Sequence, residues 1–306
     1  MKNIRKINIA VVFITFNEEF HLGDAIENIR DIANEIFVLD SLSTDRTVDI
    51  ALEKGAVVLQ RPFTNFGDQW NFALNNFPIK SEWTMKMDPD ERLSNELKKN
   101  ILSFINDNSA SGGAFFRRLW FMGKPLNVKQ KILRIWKTGS CYFSNVIVNE
   151  HPIVKGKIAH IDGFLEHYDS RDLHQWLDKQ NLYTSMEAIR IYKKQGYAVS
   201  PRLFGTKLER RMFLKRIGFI NFPCRYLVCF FFYFFIQKAF LTGREGFYWA
   251  ITRVWTFRMI SMKVIEMKNN NLLIEIAKLN TGNINKKVLS TKLQQEIMKQ
   301  TNYYVK

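Results

Sequence analysis

Met87-Asp88-Pro89-Asp90-Glu91 is the segment with the sharpest chemical character. Two carboxylates stand two residues apart, and a proline stiffens the turn between them. At that spacing both can point the same way and hold a hard divalent cation, Mg²⁺ or Mn²⁺, bound by one or two carboxylates plus phosphate oxygens. The alternative is an ordinary acidic turn that caps the next helix. Two more polar clusters strengthen the chemical reading: Thr15-Phe16-Asn17-Glu18 and Asp40-Ser41, each following an apolar run. In open α/β sheets, ligands bind outside the carboxyl ends of the strands. Three such ends would line one crevice, with Asp40 as acceptor for a base or ribose and Asp88 and Asp90 as a metal site for phosphates. A nucleoside diphosphate fits that arrangement; a simple helix cap is the other reading of Asp40.

The elements that must position these residues alternate between strand and helix. Ile9 to Ile14 is a continuous apolar, β-branched run of the kind found in strands buried on both faces. Helical spacing follows at Phe20, Leu22, Ala25, Ile26, Ile29 and Ile32. Ile36 to Leu39 forms a second strand ending at Asp40. Ser43-Thr44-Asp45 opens a second helix, which Gly55 stops. Ala56 to Leu59 is a third strand, Asp68 to Asn76 a third helix, and Trp83 to Met87 a fourth strand running straight into Asp88. This rhythm predicts an α/β fold, a Rossmann-like, mostly parallel sheet with helices on both faces. Ala114 to Phe121 and Ile132 to Trp136 read as short strands added to one side, and a helix capped by Asp169 or Ser170 runs to about Lys194.

The ordered blocks IAVVFITFNEE, EIFVLDSLSTDRTVDIALEKGA, RPFTNFGDQWNFAL and WTMKMDPDER resemble those of the family 2 glycosyltransferases, which have the GT-A fold. Within that family they resemble the bacterial sugar transferases that build lipopolysaccharide core, including β-1,4-glucosyltransferases of the inner core. The resemblance covers about residues 7–255. It implies that Thr15, Asn17 and Glu18 border the nucleotide and that Asp40 contacts uracil or ribose. Gln69 and Asn71 match a stretch near the donor pyrophosphate and sugar. Asp88 and Asp90 match the pair that holds metal and diphosphate. Val148-Asn149-Glu150 resembles the family's Val-His-Glu, which makes Glu150 the expected catalytic base; the histidine of that pattern is replaced by Asn149, and His151 follows. An inverting transfer needs such a base at the acceptor hydroxyl and charge neutralisation on the leaving diphosphate. Arg134 is a further phosphate- or acceptor-facing possibility. Four of the five histidines fall between 151 and 174 without a metal-helix spacing, so zinc is not expected; His167 is the one that could line the site.

Charge divides the 306 residues unevenly. Residues 1–150 carry 19 basic and 18 acidic side chains, whereas residues 151–306 carry 26 and 11. Whatever meets the positive charge should meet the second half. Three cysteines without a CxxC pair argue against a disulfide framework and suit a reducing compartment. The apolar N-terminal run reaches acidic residues without a cleavage site and reads as a strand rather than a signal peptide. Seven basic residues and one acid occupy 202–225, directly before the unbroken apolar run Tyr226 to Ile236. That run is too short to span a bilayer, which takes about 20 apolar residues. Extended back to Ile217 it includes Asn221, Pro223 and Arg225, so it suits an interfacial or re-entrant element on an anionic leaflet. A buried C-terminal helix with a solvated basic face is the alternative.

The expected organisation is a nucleotide-sugar-binding catalytic domain over 1–168, a helical membrane-associating region over 169–266 and a polar Asn/Lys-rich tail over 267–306. The expected activity is inverting transfer of a sugar, glucose first, from a UDP-sugar to a lipid-linked or lipopolysaccharide-type acceptor, with Mg²⁺ or Mn²⁺, at the cytoplasmic face of a bacterial inner membrane. A nucleotidyltransferase would use similar carboxylate chemistry but usually has a glycine-rich basic loop after the first strand, where this chain has Thr15 to Glu19. A nucleic-acid-binding role is suggested by the net charge of +16. The neutral first half and the apolar run beside the charge speak against it.

Overall fold

The computed structural model describes residues 8–144, 151–169, 172–192, 202–205, 209, 210, 213 and 224–269. Its centre is an eight-stranded mixed sheet. One half is parallel: Val57–Gln60 (β3), Glu35–Asp40 (β2), Ile9–Thr15 (β1) and Trp83–Met87 (β4) lie side by side in that order. Alternation along β1 explains why helices cover both faces. Ile9, Val11 and Phe13 pack in one cluster with Leu22, Ala25, Ile26 and Ile29 of Leu22–Ile29 (α1), with Ala51 of Thr47–Glu53 (α2), and with Leu97, Ile101 and Phe104 of Asn95–Asp107 (α4). Ala10 and Val12 point the other way, against Trp70 and Ala73 of Phe66–Asn76 (α3).

The second half of the sheet is antiparallel in part. Lys124–Lys137 (β7) pairs antiparallel with β4. Gly112–Phe121 (β6) pairs antiparallel with β7, and Ile158–His167 (β10) runs parallel to β6. Glu91–Leu93 (β5) closes the order beside β10. Only Asp88, Pro89 and Asp90 separate β4 from β5, a reach of at most ~14 Å, yet three strands stand between them in the sheet order. The sheet therefore curls until its last strand returns beside the end of β4, carrying His167, the register partner of Glu91, with it. Cys141–Phe143 (β8) and Pro152–Val154 (β9) form a separate two-stranded piece.

The β6–β7 pair is longer than the two short strands expected. Met122 and Gly123 both have positive φ, as a two-residue hairpin turn requires. Near the start of β7, Leu126 and Val128 alternate with polar residues and bury their side chains in a third cluster. Gly163 sits at the register shift in β10 with φ +110°, and a Cβ there would lie 2.7 Å from the Leu97 backbone. That close approach to the start of α4 sets the course of β10 toward His167.

The helix expected from Asp169 or Ser170 is Leu173–Tyr192 (α5). The Asp172 carboxylate accepts from Gln175 N at 2.8 Å and so caps its first turn. Asp169 is engaged elsewhere, by Lys179. Arg225–Phe231 (α6) continues through a π-helical turn, Phe232–Ile236, and a 3₁₀ turn, Ala239–Thr242, into the 26-residue helix Arg244–Asn269 (α7). The run read from Ile217 to Ile236 lies outside the described residues up to 223. Among the described residues no helix is long and apolar enough to cross a membrane. The tail read as 267–306 is described only to Asn269.

Candidate active site

Register places the three polar strand ends together. Thr15 pairs with Asp40 across β1 and β2, and Phe13 pairs with Met87 across β1 and β4. Asp88 therefore leaves β4 beside the mouth that Thr15 and Asp40 share. Asp40 is fully buried. Its carboxylate accepts from Thr15 Oγ1 (2.9 Å), Ser43 N (2.8 Å), Ser43 Oγ (2.5 Å) and Gln60 Nε2 (3.0 Å). One acid thus ties together the ends of β1, β2 and β3. The loops after β1 and β2 are laced in the same manner. Asn17, with φ 53°, donates its backbone N–H to Ser43 Oγ at 2.8 Å and accepts from Thr44 N at 2.9 Å. Glu18 N donates to Thr47 Oγ1 at 2.7 Å.

The two residues predicted on α3 are placed differently. Gln69 is fully buried and donates to Ser41 Oγ at 3.0 Å. Asn71 clamps the Phe143 backbone, donating to its C=O at 2.9 Å and accepting from its N–H at 2.8 Å. Both polar atoms of Asn71 hold β8 against α3. Between them Trp70 stacks on Phe143 and lies 4.4 Å beneath the Lys86 ammonium.

The acidic turn carries two carboxylates with different partners. Asp88 Oδ2 accepts from Arg134 Nη2 at 2.7 Å, and its Oδ1 lies 3.9 Å from Lys86 Nζ. Burial alone would push this carboxyl up, but the Arg134 and Lys86 charges hold it well below the usual carboxylate range. Asp90 Oδ2 accepts from Lys179 Nζ at 2.9 Å and lies 3.4 Å from His167 Nε2. Burial again pushes upward, and the Lys179 and His167 charges override it, holding Asp90 ionised well below its ordinary range. Behind the turn, the fully buried Glu91 receives Arg134 Nη2 at 2.5 Å and the backbone N–H of Asp88 at 3.0 Å. Arg92 donates to Pro89 O and Glu91 O at 2.7 and 2.8 Å and to His21 O at 3.0 Å. The turn is thereby fastened from below; of its two acids Asp88 is the more exposed, and Asp90 is buried against His167 and Lys179.

Asp90, His167 and Asp169 offer ligand atoms that all lie within 4.8 Å of one another. Asp90 Oδ1 and His167 Nδ1 are buried and have no hydrogen-bond partner among the described residues. A buried carboxylate oxygen left without a donor is costly unless a cation completes it. Two carboxylates and an imidazole form a donor set that fits Mn²⁺, and with more oxygen ligands Mg²⁺. Asp88 is not a member of this group; Asp90 is. Glu18, half-buried at the mouth, is pushed up to about 8 by burial first and then by the Asp90 and Asp88 charges. Glu150 lies outside the described residues.

Sequence reasoning anticipated Asp90 and marked His167 and Arg134, but passed over Asp169 and Lys179. A signal for the lysine existed. Trp176, Lys179, Gln180 and Tyr183 share one helical face, and Trp176 is buried. A lysine on the inward side of a helix calls for a carboxylate partner.

The Glycosyl transferase family 2 model matches residues 10–153. An uncharacterized glycosyltransferase of Rickettsia prowazekii (strain Madrid E) is 27% identical over 87% of this chain and 90% of its own length. A lipopolysaccharide core biosynthesis glycosyltransferase, LpsC of Rhizobium meliloti (strain 1021), is 27% identical over 72% of this chain and 87% of that protein. Among solved structures, S. aureus TarS 1-349 in complex with UDP-GlcNAc is 15% identical, covering 81% of this chain and 80% of that one with a TM-score of 0.43. Glucosyl-3-phosphoglycerate synthase from Mycobacterium tuberculosis, in complex with Mn²⁺, UDP and glucosyl-3-phosphoglycerate, is 24% identical over 36% of this chain and 44% of that one, with a TM-score of 0.31.

Proposed function

From the premise that this chain is a glycosyltransferase with a family 2 domain over residues 10–153, we propose that it transfers a sugar, glucose first, from a UDP-sugar to a lipid-linked or lipopolysaccharide-type acceptor with inversion at the anomeric carbon. The observation that carries this reading is Asp90: a buried carboxylate with one unpartnered oxygen, grouped with His167 and Asp169, at the shared strand-end mouth. Asp90, His167 and Asp169 would hold Mg²⁺ or Mn²⁺, and such an ion supplies positive charge against the departing diphosphate.

The protein's own residues do the remainder. Asp40, Thr15, Asn17 and Glu18 shape the nucleoside end of the crevice. In the displacement, the acceptor oxygen forms a bond to the anomeric carbon while the bond to the diphosphate oxygen breaks. UDP leaves with that electron pair, and the proton of the acceptor hydroxyl passes to Glu150. Arg134 and Lys86, buried beside Asp88, hold that carboxylate ionised and the turn in place. A turn held in this way needs no reorganisation during the step.

The test is a donor screen of the purified protein with Mn²⁺ or Mg²⁺ and a panel of nucleotide sugars. UDP-glucose, with metal present, should raise the melting temperature and be hydrolysed slowly. A rise confined to donors with another nucleotide would refute the UDP assignment, and equal rises without metal would refute the metal's part.

The C-terminal region supports a place on the cytoplasmic face of a bacterial inner membrane. Leu227, Val228, Phe235, Ile236 and Leu241 are exposed around α6 and the turns that follow it, with Tyr248 and Trp255 along α7. Exposed apolar clusters of this extent mark interaction or membrane surfaces. Arg225, Lys238 and Arg244 border them, and basic residues near an anionic leaflet contribute about 1 kcal/mol each. The helices would lie in the interface plane. The protein should sediment with phosphatidylglycerol-containing vesicles and not with purely zwitterionic ones, and the doubly substituted Phe235→Asp/Ile236→Asp protein should lose that binding. Equal recovery of both proteins from both vesicle types would sink the membrane assignment.

A further inference from the structure

Lys179 occupies an unusual place for a lysine at a metal-binding turn. Its three ammonium hydrogens meet three oxygens: Asp90 Oδ2 at 2.9 Å, Asp169 Oδ1 at 2.8 Å and Asp169 O at 3.0 Å. A lysine has three donors and no acceptor, so the side chain is fully satisfied. Two of those oxygens belong to the carboxylates that would hold a divalent cation. The ammonium and a metal ion therefore compete for the same carboxylates, and their like charges repel at such short range. Helix motion cannot relieve the conflict easily. Lys263 Nζ of α7 lies 2.6 to 3.0 Å from Asn181 O, Asn181 Oδ1, Thr184 Oγ1 and Ser185 Oγ, four oxygens that share its three hydrogens. That pins α5 one turn beyond Lys179 and leaves side-chain rotation as the way out.

We propose that Lys179 is a tethered cation that holds the oxygen cage of Asp90 and Asp169 until a donor diphosphate arrives, so that metal and nucleotide enter together rather than in either order. Displaced from the cage, the ammonium on its four-carbon stem has a replacement partner in the non-bridging oxygens of the diphosphate. In the nucleotide-free protein that diphosphate is missing, and the metal must displace the ammonium without it. Lys179 is thus a positioning residue that couples two binding events. The inference rests on the reading of Asp90 as a metal-holding residue.

The experiment measures Mn²⁺ binding to the nucleotide-free protein from the electron paramagnetic resonance signal of free Mn²⁺. It compares the unsubstituted protein with Lys179→Met, Lys179→Gln and the double variant Asp90→Asn/Lys179→Met. Both single variants should bind Mn²⁺ at least tenfold more tightly than the unsubstituted protein, and Mn²⁺ should raise their melting temperatures further than it raises that of the parent. With UDP present, the advantage should shrink or reverse, because the ammonium is then missing from the diphosphate. Unchanged or weaker Mn²⁺ binding by both variants overturns the proposal, as does a failure of both to fold even with Mn²⁺, which would make the lysine structural. The double variant separates the two layers. If it loses Mn²⁺ while Lys179→Met shows no gain, only the lysine's role falls. If it keeps Mn²⁺, the metal is not on Asp90 and the parent reading falls.

Discussion

Asp90→Asn should lower kcat/KM for sugar transfer by about a hundred- to a thousandfold and abolish the metal-dependent part of UDP binding. The substitution keeps the size of the side chain and one carbonyl oxygen but removes its charge. A single preorganised electrostatic contact is worth ~10²–10³ in rate, and this carboxylate sits at the centre of a group that includes His167 and Asp169. The loss also leaves Lys179 with Asp169 alone, so a lower melting temperature in the metal-free protein should accompany the lost activity. Steady-state kinetics and calorimetry of UDP with and without Mn²⁺ check both parts. Turnover within tenfold of the parent would show that charge at Asp90 is dispensable.

Glu150→Gln should reduce kcat by ~10²–10⁴, the range for removal of a positioned general base, while UDP and Mn²⁺ bind as before. The amide cannot take the acceptor's proton at any working pH. Since it remains close in size and polarity, ground-state binding should persist, and the effect should fall on kcat rather than on KM. The order of effects distinguishes it from Asp90→Asn, in which nucleotide binding fails as well. A variant that retains kcat but needs more acceptor would reassign Glu150 to acceptor binding.

How much of this could be read from residue order depends on the range of the interaction. The parallel half of the sheet was readable because β1 carries an unbroken apolar run and α1 a clean stripe at Leu22, Ala25, Ile26 and Ile29, all fully buried; such periodicity is local. The acidic turn was readable because both acids and the proline lie within three residues. The curl that brings β5 back to β10 is not local. It depends on His167 meeting Glu91 across 76 positions in the chain, and no short pattern encodes that pairing. The same holds for Lys179, whose partner Asp90 is 89 residues away. Asn71 shows the opposite case. Its family match pointed toward the donor, whereas both of its polar atoms grip the Phe143 backbone, a contact that only the folded chain discloses. The helical region expected over 169–266 carries no signal for the bounds of α7, because its apolar residues are spread around it, with Phe247, Tyr248, Ile251 and Trp255 exposed.

Central to the account is a cation held by Asp90 against a nucleoside diphosphate. The direct measurement is anomalous diffraction at the manganese edge from crystals grown with Mn²⁺ and UDP. The account predicts one strong peak within bonding distance of Asp90 and His167, next to the diphosphate, with the Lys179 ammonium moved off Asp90. Density for UDP in the crevice of β1 and β2 with no manganese at Asp90 would contradict it.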